Sequence, residues 1–200
     1  VRYGAAVSSV STSTGRQRIL DVAAALVLDR GIDGVPLRQI ADIVGMKASS
    51  LYYHFASKNE IVVAVFRQGI DVMERAWDDA ADTPPHHPRA RLAIHVRAHL
   101  SALFENGPFT AAHVTAFRTA PPDVRAEIIP IRDAYEARWT ELLAELAAGG
   151  HLRPGTPLGL SRLALFGSMN STIEWFDADR GNLDELAEVI TTGFWDGFGS

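Results

Sequence analysis

Cysteine is absent from the 200 residues, so neither a disulfide framework nor a cysteine-based zinc site is available. Long apolar runs are lacking as well: uninterrupted apolar stretches reach only a few residues, against the roughly 20 a membrane helix needs, and no membrane partner is expected. Strong charge of one sign is missing too. The 19 Lys+Arg and 24 Asp+Glu leave a net charge of −5, which by composition alone does not announce a nucleic-acid partner. Period-two alternation of convincing length is not found, which argues against strands. The opening VRYGAAVSSVSTSTG has no apolar signal core and is rich in Ser, Thr and Gly. Residues 1–13 are therefore expected to form a flexible tail, and a cytoplasmic location is the default.

What is present is a chain with 47% apolar residues, long enough to bury a core without covalent staples. The average charge hides a gradient. Residues 1–60 hold seven Arg/Lys against five Asp/Glu, and residues 61–200 hold twelve against nineteen, so the basic end is the N-terminal one. Ile19, Val22, Ala23, Leu26 and Val27 recur at three- and four-residue steps, which predicts a helix from about Thr14 to Arg30, ended by Gly31. Short helices are expected at about Pro36 to Ile43 and Lys47 to His54. A long one starts at Ser57, which is spaced with Glu60 as a capping box. Further helices are expected at about 88–105, 109–119, 122–148, 157–177 and 182–198, the last opening with the pair Asn182 and Glu185. The fold class is all-α, with about nine helices.

Residues 36–54 have the layout of a helix-turn-helix. Ala41 is small enough for two helices to approach, Gly45 can take a left-handed turn, and Leu51 can plug the angle between them. Ile40, Val44 and Met46 fill the other inward positions. The string SSLYYHFASKNE, Ser49 to Glu60, then sets hydroxyls, phenols, an imidazole and an ammonium group on and just after the second helix, groups suited to phosphate oxygens and base edges. With helix one and the GIDGVPLRQIA turn, the segment from residue 14 to about 65 resembles the DNA-binding domain of the TetR family of bacterial transcriptional repressors.

That resemblance implies a recognition helix over Lys47 to His54 in the major groove, with Lys47, Ser49, Ser50 and Tyr52 as its contacts. It implies Tyr53, His54 and Lys58 as backbone clamps, Lys58 together with the first amides of the next helix, and Arg38 on a flanking phosphate or base. Either tyrosine could instead pack inside the small domain. Two positions depart from the family pattern: Val35 and Pro36 stand where a capping Thr is common, and Ala48 where a phosphate-binding Lys is common. The implied domains are a helix-turn-helix domain over 14–60 and a helical ligand-binding and dimerisation domain over 61–200.

In that second region Ala164, Gly167 and Ser171 are small residues at helical spacing, and Leu183, Leu186, Ile190 and Phe194 form an apolar stripe on the last helix. The family resemblance implies that these two helices pair with their symmetry mates. A homodimer on a palindromic operator follows. The aromatic and polar mixture of Trp77, Phe104, His113, Phe117, Tyr135, Trp139, Met169, Asn170 and Trp175 suits a ligand pocket, although aromatics at helical spacing also serve as plain core. The run ALFGSMNSTIEWFDADRGNLDEL, with PPDVRAEI and RDAYEARWTELL, resembles family members tied to lipid and acyl-coenzyme A catabolism. Ser171 and Glu174 depart from that pattern, where an aromatic and a basic residue are expected. Arg118, Arg125 and Arg132 remain as partners for an anionic group, or as solvated surface.

His95 and His99 are spaced i, i+4 but lack the accompanying Glu of a metalloprotease helix, and no metal or cofactor is expected. Asp78–Asp79 and Asp133–Glu136 read as solvated faces rather than acid/base dyads, and no enzyme is expected. The expected function is a ligand-responsive, sequence-specific repressor, released from DNA by a small lipophilic or acyl-thioester effector. Two alternatives stay open: a DNA-binding regulator whose C-terminal region serves only dimerisation or a protein partner, and a helical enzyme.

Overall fold

The computed structural model describes residues 14–82 and 87–200, so the tail expected at 1–13 lies outside the described residues. Among those residues are nine α-helices: α1 (Gly15–Arg30), α2 (Leu37–Val44), α3 (Ala48–His54), α4 (Lys58–Ala81), α5 (Pro88–Phe104), α6 (Phe109–Ala116), α7 (Pro122–Ala148), α8 (Leu158–Trp175) and α9 (Leu183–Phe198). A 3-10 turn at Phe117–Thr119 follows α6, and extended pairing is limited to a single bridge, Leu152 with Gly199. The all-α reading is correct. No helix among the described residues is long and apolar enough to cross a membrane.

The boundaries follow local chemistry. Thr14 caps α1, its hydroxyl accepting the Gln17 N–H at 3.3 Å, and the Gly31 N–H closes the far end on the Val27 carbonyl at 2.8 Å. Pro36 precedes α2 and supplies no side-chain cap, as its lack of a hydroxyl requires. The Asn182 side chain takes the amides of Asp184 at 2.8 Å and Glu185 at 3.3 Å, which starts α9 one residue later than expected.

The chain forms two compact units. The first comprises the described part of Arg2–Val72 with Asn106–Ile131. Within it α1 packs on α2 and on α6, and Ile19, Ala23, Val27, Ile40, Ala41 and Leu51 are buried. Helix α6 lies tight on α4: the Thr110 hydroxyl donates to the Gly69 carbonyl at 3.0 Å, and a Cβ on Gly69 would meet the Phe109 carbonyl oxygen at 2.6 Å. The second unit comprises the described part of Met73–Glu105 and Arg132–Ser200, in which α5 packs on α9 and α8 and those two pack on each other.

Candidate nucleic-acid interface and interior polar cluster

Helices α2 and α3 are joined by a turn that only glycine makes without strain. Gly45 sits at φ 77° and ψ 33°, and its N–H together with that of Met46 closes α2 on the carbonyls of Asp42 at 3.2 Å and Ala41 at 2.9 Å. Ala41 is fully buried at the crossing, and Leu51 is the one buried residue of α3. From α1, the Arg18 guanidinium donates to the Val44 carbonyl at 3.0 Å and caps the end of α2. The triplet read from sequence is therefore a helix-turn-helix in fact.

One anchor on a seven-residue helix leaves the rest of it outward. Lys47, Ser49 and Ser50 are exposed, Tyr52 is 60% exposed and Tyr53 89% exposed, which removes the packing alternative for both phenols. Arg38 on α2 is exposed, while His54 is half-buried with its ring edge-on to Tyr53 at 5.4 Å. At the start of α4, Ser57 accepts the Glu60 N–H at 3.1 Å and the Glu60 carboxylate accepts the Ala56 N–H at 2.6 Å. Two amides at that entrance are thus satisfied internally, which leaves Lys58 as the cationic group there. One cation escaped the sequence reading: Arg16 on α1 lies over the Phe55 ring at 4.6 Å, immediately beyond α3. A charged residue in the first turn of an N-terminal helix carries no sequence signal for that placement.

The nine residues expected around a ligand are divided between the two units. Trp77, Tyr135 and Trp139 come together in the second unit with two residues weighed only as metal ligands: His95 stacks on Trp77 at 3.9 Å, and His99 lies edge-on to Trp139 at 6.0 Å. Asn170 joins them: its side-chain oxygen accepts from His99 Nε2 at 3.0 Å, so the other ring nitrogen, Nδ1, accepts from the Tyr135 hydroxyl at 3.0 Å. Met169 is buried in the same unit. Phe104 pairs with Phe176 instead, at 5.4 Å, and Trp175 stands 63% exposed. His113 and Phe117 belong to the first unit, where both pack on Phe66. Among the described residues no three His, Asp or Glu side chains converge as a metal site, and the i, i+4 histidine spacing serves aromatic packing.

Burial governs the titration of this cluster. His95 and His99 are both pushed down to about 4, each first by loss of water, His95 further by Arg91 and Arg138, while the Asn170 bond on His99 opposes the shift. Burial raises the Tyr135 phenol out of reach of ionisation. Glu136, expected on a solvated face, is buried; burial pushes its carboxyl up, but the Arg162 bond and the Arg132 charge outweigh that and hold it below the ordinary range. Arg132 is correspondingly no free surface cation, since its Nε donates to Glu136 at 2.7 Å.

A second correction concerns α9. Leu183, Leu186 and Phe194, expected to face a partner, are buried within the chain, in the helix that packs on α5, and Ile190 is half-buried. The outward apolar residue of α9 is Val189, 68% exposed. On α8, Ala164, Gly167 and Ser171 are exposed as expected, flanked by exposed Leu160, Leu163 and Trp175.

A helix-turn-helix whose second helix is exposed is the mark of a DNA-binding regulator of transcription. Residues 19–65 match the model for bacterial regulatory proteins of the tetR family, and residues 85–197 match that for the tetracyclin repressor-like C-terminal domain. The chain belongs to the TetR family. Among curated relatives, the HTH-type transcriptional repressor KstR2 of Mycolicibacterium smegmatis is 27% identical over 168 residues, covering 80% of this chain and 78% of the relative. The crystal structure of AibR in complex with isovaleryl coenzyme A and operator DNA aligns with a TM-score of 0.81 at 22% identity, covering 90% of this chain and 97% of that one. FadR from Bacillus subtilis in complex with stearoyl-CoA aligns with a TM-score of 0.74 at 21% identity, covering 90% and 98%. At those identities the two structures speak to the fold. The relatives are regulators rather than enzymes, and so is this chain.

Proposed function

We propose that the protein is a homodimeric cytoplasmic repressor that reads a palindromic operator with residues 14–60 and releases it when the region 61–200 binds a small effector, lipophilic or an acyl thioester. The observation that carries the DNA half is the bare face of α3, with Tyr52 and Tyr53 in solvent beside Lys47, Ser49 and Ser50. Lys47, Ser49, Ser50 and Tyr52 read base edges; Tyr53, His54, Lys58 and Arg38 hold the backbone. The dimer is supported by the outward stripe of α8, where Leu160, Leu163 and Trp175 surround Ala164, Gly167 and Ser171, and by Val189 on α9. Small residues let a partner helix approach, and exposed large ones gain by being covered. Two such heads about one DNA turn, ~34 Å, apart select a palindrome.

The effector half is supported by the polar pair His99–Tyr135 inside an aromatic cluster, and by the acyl-coenzyme A ligands named for the structures of AibR and FadR. By linkage, effector and operator weaken each other by one common factor, typically about 1–3 kcal/mol of coupling.

The test is binding to a palindrome selected from a randomised DNA pool, followed by fluorescence anisotropy. If the dimer neutralises ~6 phosphates, affinity falls on the order of 10³ between about 50 and 200 mM salt. Lys58→Ala weakens binding to every sequence and flattens the salt slope, whereas Ser50→Ala changes which sequence is preferred. A salt-independent affinity overturns the DNA reading, and identical effector affinities with and without operator overturn the release mechanism.

A further inference from the structure

Lysine occurs only twice in the 200 residues, at Lys47 and Lys58, against 17 arginines. Both fall in the helix-turn-helix region, Lys47 immediately before α3 and Lys58 as the first residue of α4. Arginine carries the ion pairs of the described fold, as in Arg89 with Glu188 and Arg91 with Glu145. Neither lysine ammonium has an ion-pair or hydrogen-bond partner among the described residues; Lys47 is exposed and Lys58 half-buried. Two carboxylates at that end of α4 are engaged elsewhere: Glu60 accepts the Ala56 N–H at 2.6 Å, and Asp123 accepts the Asn59 side-chain amide at 2.7 Å. The basic margin of residues 1–60 is seven Arg/Lys over five Asp/Glu, so without the two lysine charges the counts are equal.

A guanidinium holds phosphate as well as an ammonium does, but only the ammonium is readily turned into a neutral amide. Methylation of lysine keeps the charge, whereas acylation removes it. No thiol competes for an acyl group, since the chain has no cysteine. We propose that Lys47 and Lys58 are acylation sites for an acyl thioester, and that transfer to either Nζ lowers operator affinity covalently. The ammonium gives one proton to solvent, and the Nζ lone pair attacks the thioester carbonyl carbon. The C–N bond forms as the C–S bond breaks, and a second nitrogen proton leaves with the thiol. Nothing is oxidised or reduced. At Lys58 the amide cancels a charge set against phosphate; at Lys47 it also fills groove space beside the base edges. The inference rests on the DNA-binding reading above and needs no effector site.

The intact protein is incubated with acetyl-coenzyme A and then freed of it by gel filtration, so that a reversible effector response is removed and a covalent one stays. The mixture is passed over a limiting amount of immobilised operator, and acetylation of each lysine is measured by peptide mass spectrometry in the bound and unbound fractions. Acetyl-Lys47 and acetyl-Lys58 are expected to be enriched on the order of tenfold in the unbound fraction. Operator bound beforehand is expected to slow acetylation at both positions. Lys58→Gln, which removes the charge as an acyl group does, flattens the salt slope by about one for each head. Lys47→Arg combined with Lys58→Arg leaves the thioester no lysine to modify, so treatment does not change whatever affinity that variant starts from. If the double variant does not fold, the partition of the unaltered protein decides. The inference is overturned if neither lysine takes up acetyl, if acetylated chains distribute equally between the fractions, if bound operator gives no protection, or if treatment weakens the double variant as much as the parent. Equal distribution in a protein that binds operator overturns the acylation sites and keeps the DNA reading. A protein that never binds DNA overturns both.

Discussion

His95 and His99 stand one turn apart on α5, both buried and both held neutral by their surroundings. Their effect on stability has a definite sign. The folded values of about 4 lie below the ordinary 6.5, so between those limits the unfolded chain binds more protons than the folded one. Their contribution is complete above the ordinary value and is lost as pH falls from 6.5 toward 4. Thermal melts between about pH 7 and pH 5 are therefore expected to show a steep fall, and His99→Gln to show a shallower one from a lower starting point. A melting temperature independent of pH over that span would contradict the burial. Glu136 works in the opposite window: its carboxyl, held low by Arg162 and Arg132, withdraws support only at more acid pH. The sequence showed the histidine spacing and suggested at most a metal. What it could not show was that aromatic rings from α4 and α7 would occupy the space around them.

Among the elements, the α2–α3 pair was the most legible, because its constraints are local. Gly45 has to be left-handed, Ala41 has to be small and Leu51 has to be apolar, and all three requirements fall within eleven residues of chain. Gly45→Ala is expected to cost about 1–2 kcal/mol and to lower operator affinity, since a Cβ at φ 77° is strained even with open space around it. Gly69→Ala fails for a different reason. Its backbone is helical, but a Cβ would press on the Phe109 carbonyl at 2.6 Å and lift α6 from α4. Denaturant titration checks both, and unchanged midpoints would refute the two arguments separately. No motif marks Gly69, since its importance lies in a contact 40 residues away. The last helix shows the same limit: the periodicity of Leu183, Leu186 and Phe194 correctly reports a face to be covered, but not that α5 of the same chain would cover it.

At the scale of the whole molecule the proposed assembly rests on the outward stripe of α8. Leu163→Asp combined with Val189→Asp, both at exposed positions, is expected to leave the single chain folded and to yield a monomer in analytical ultracentrifugation, with operator affinity falling as the second head is lost. A parent protein that sediments as a monomer would remove the dimer from the proposal.

Helical period, caps and glycine stops are properties of neighbouring residues, which is why the helices and the helix-turn-helix could be read from the chain alone, while the exposure of Tyr52 and Tyr53 could not. Pairing across distance is not such a property. The folded chain alone decided that Glu136 would be shared by Arg132 and Arg162, that His99 would lie between Tyr135 and Asn170, and that His113 and Phe117 would pack on Phe66. Each of those outcomes depends on which helix faces come to oppose one another, and amphipathic patterns state that a face must be buried without stating by what.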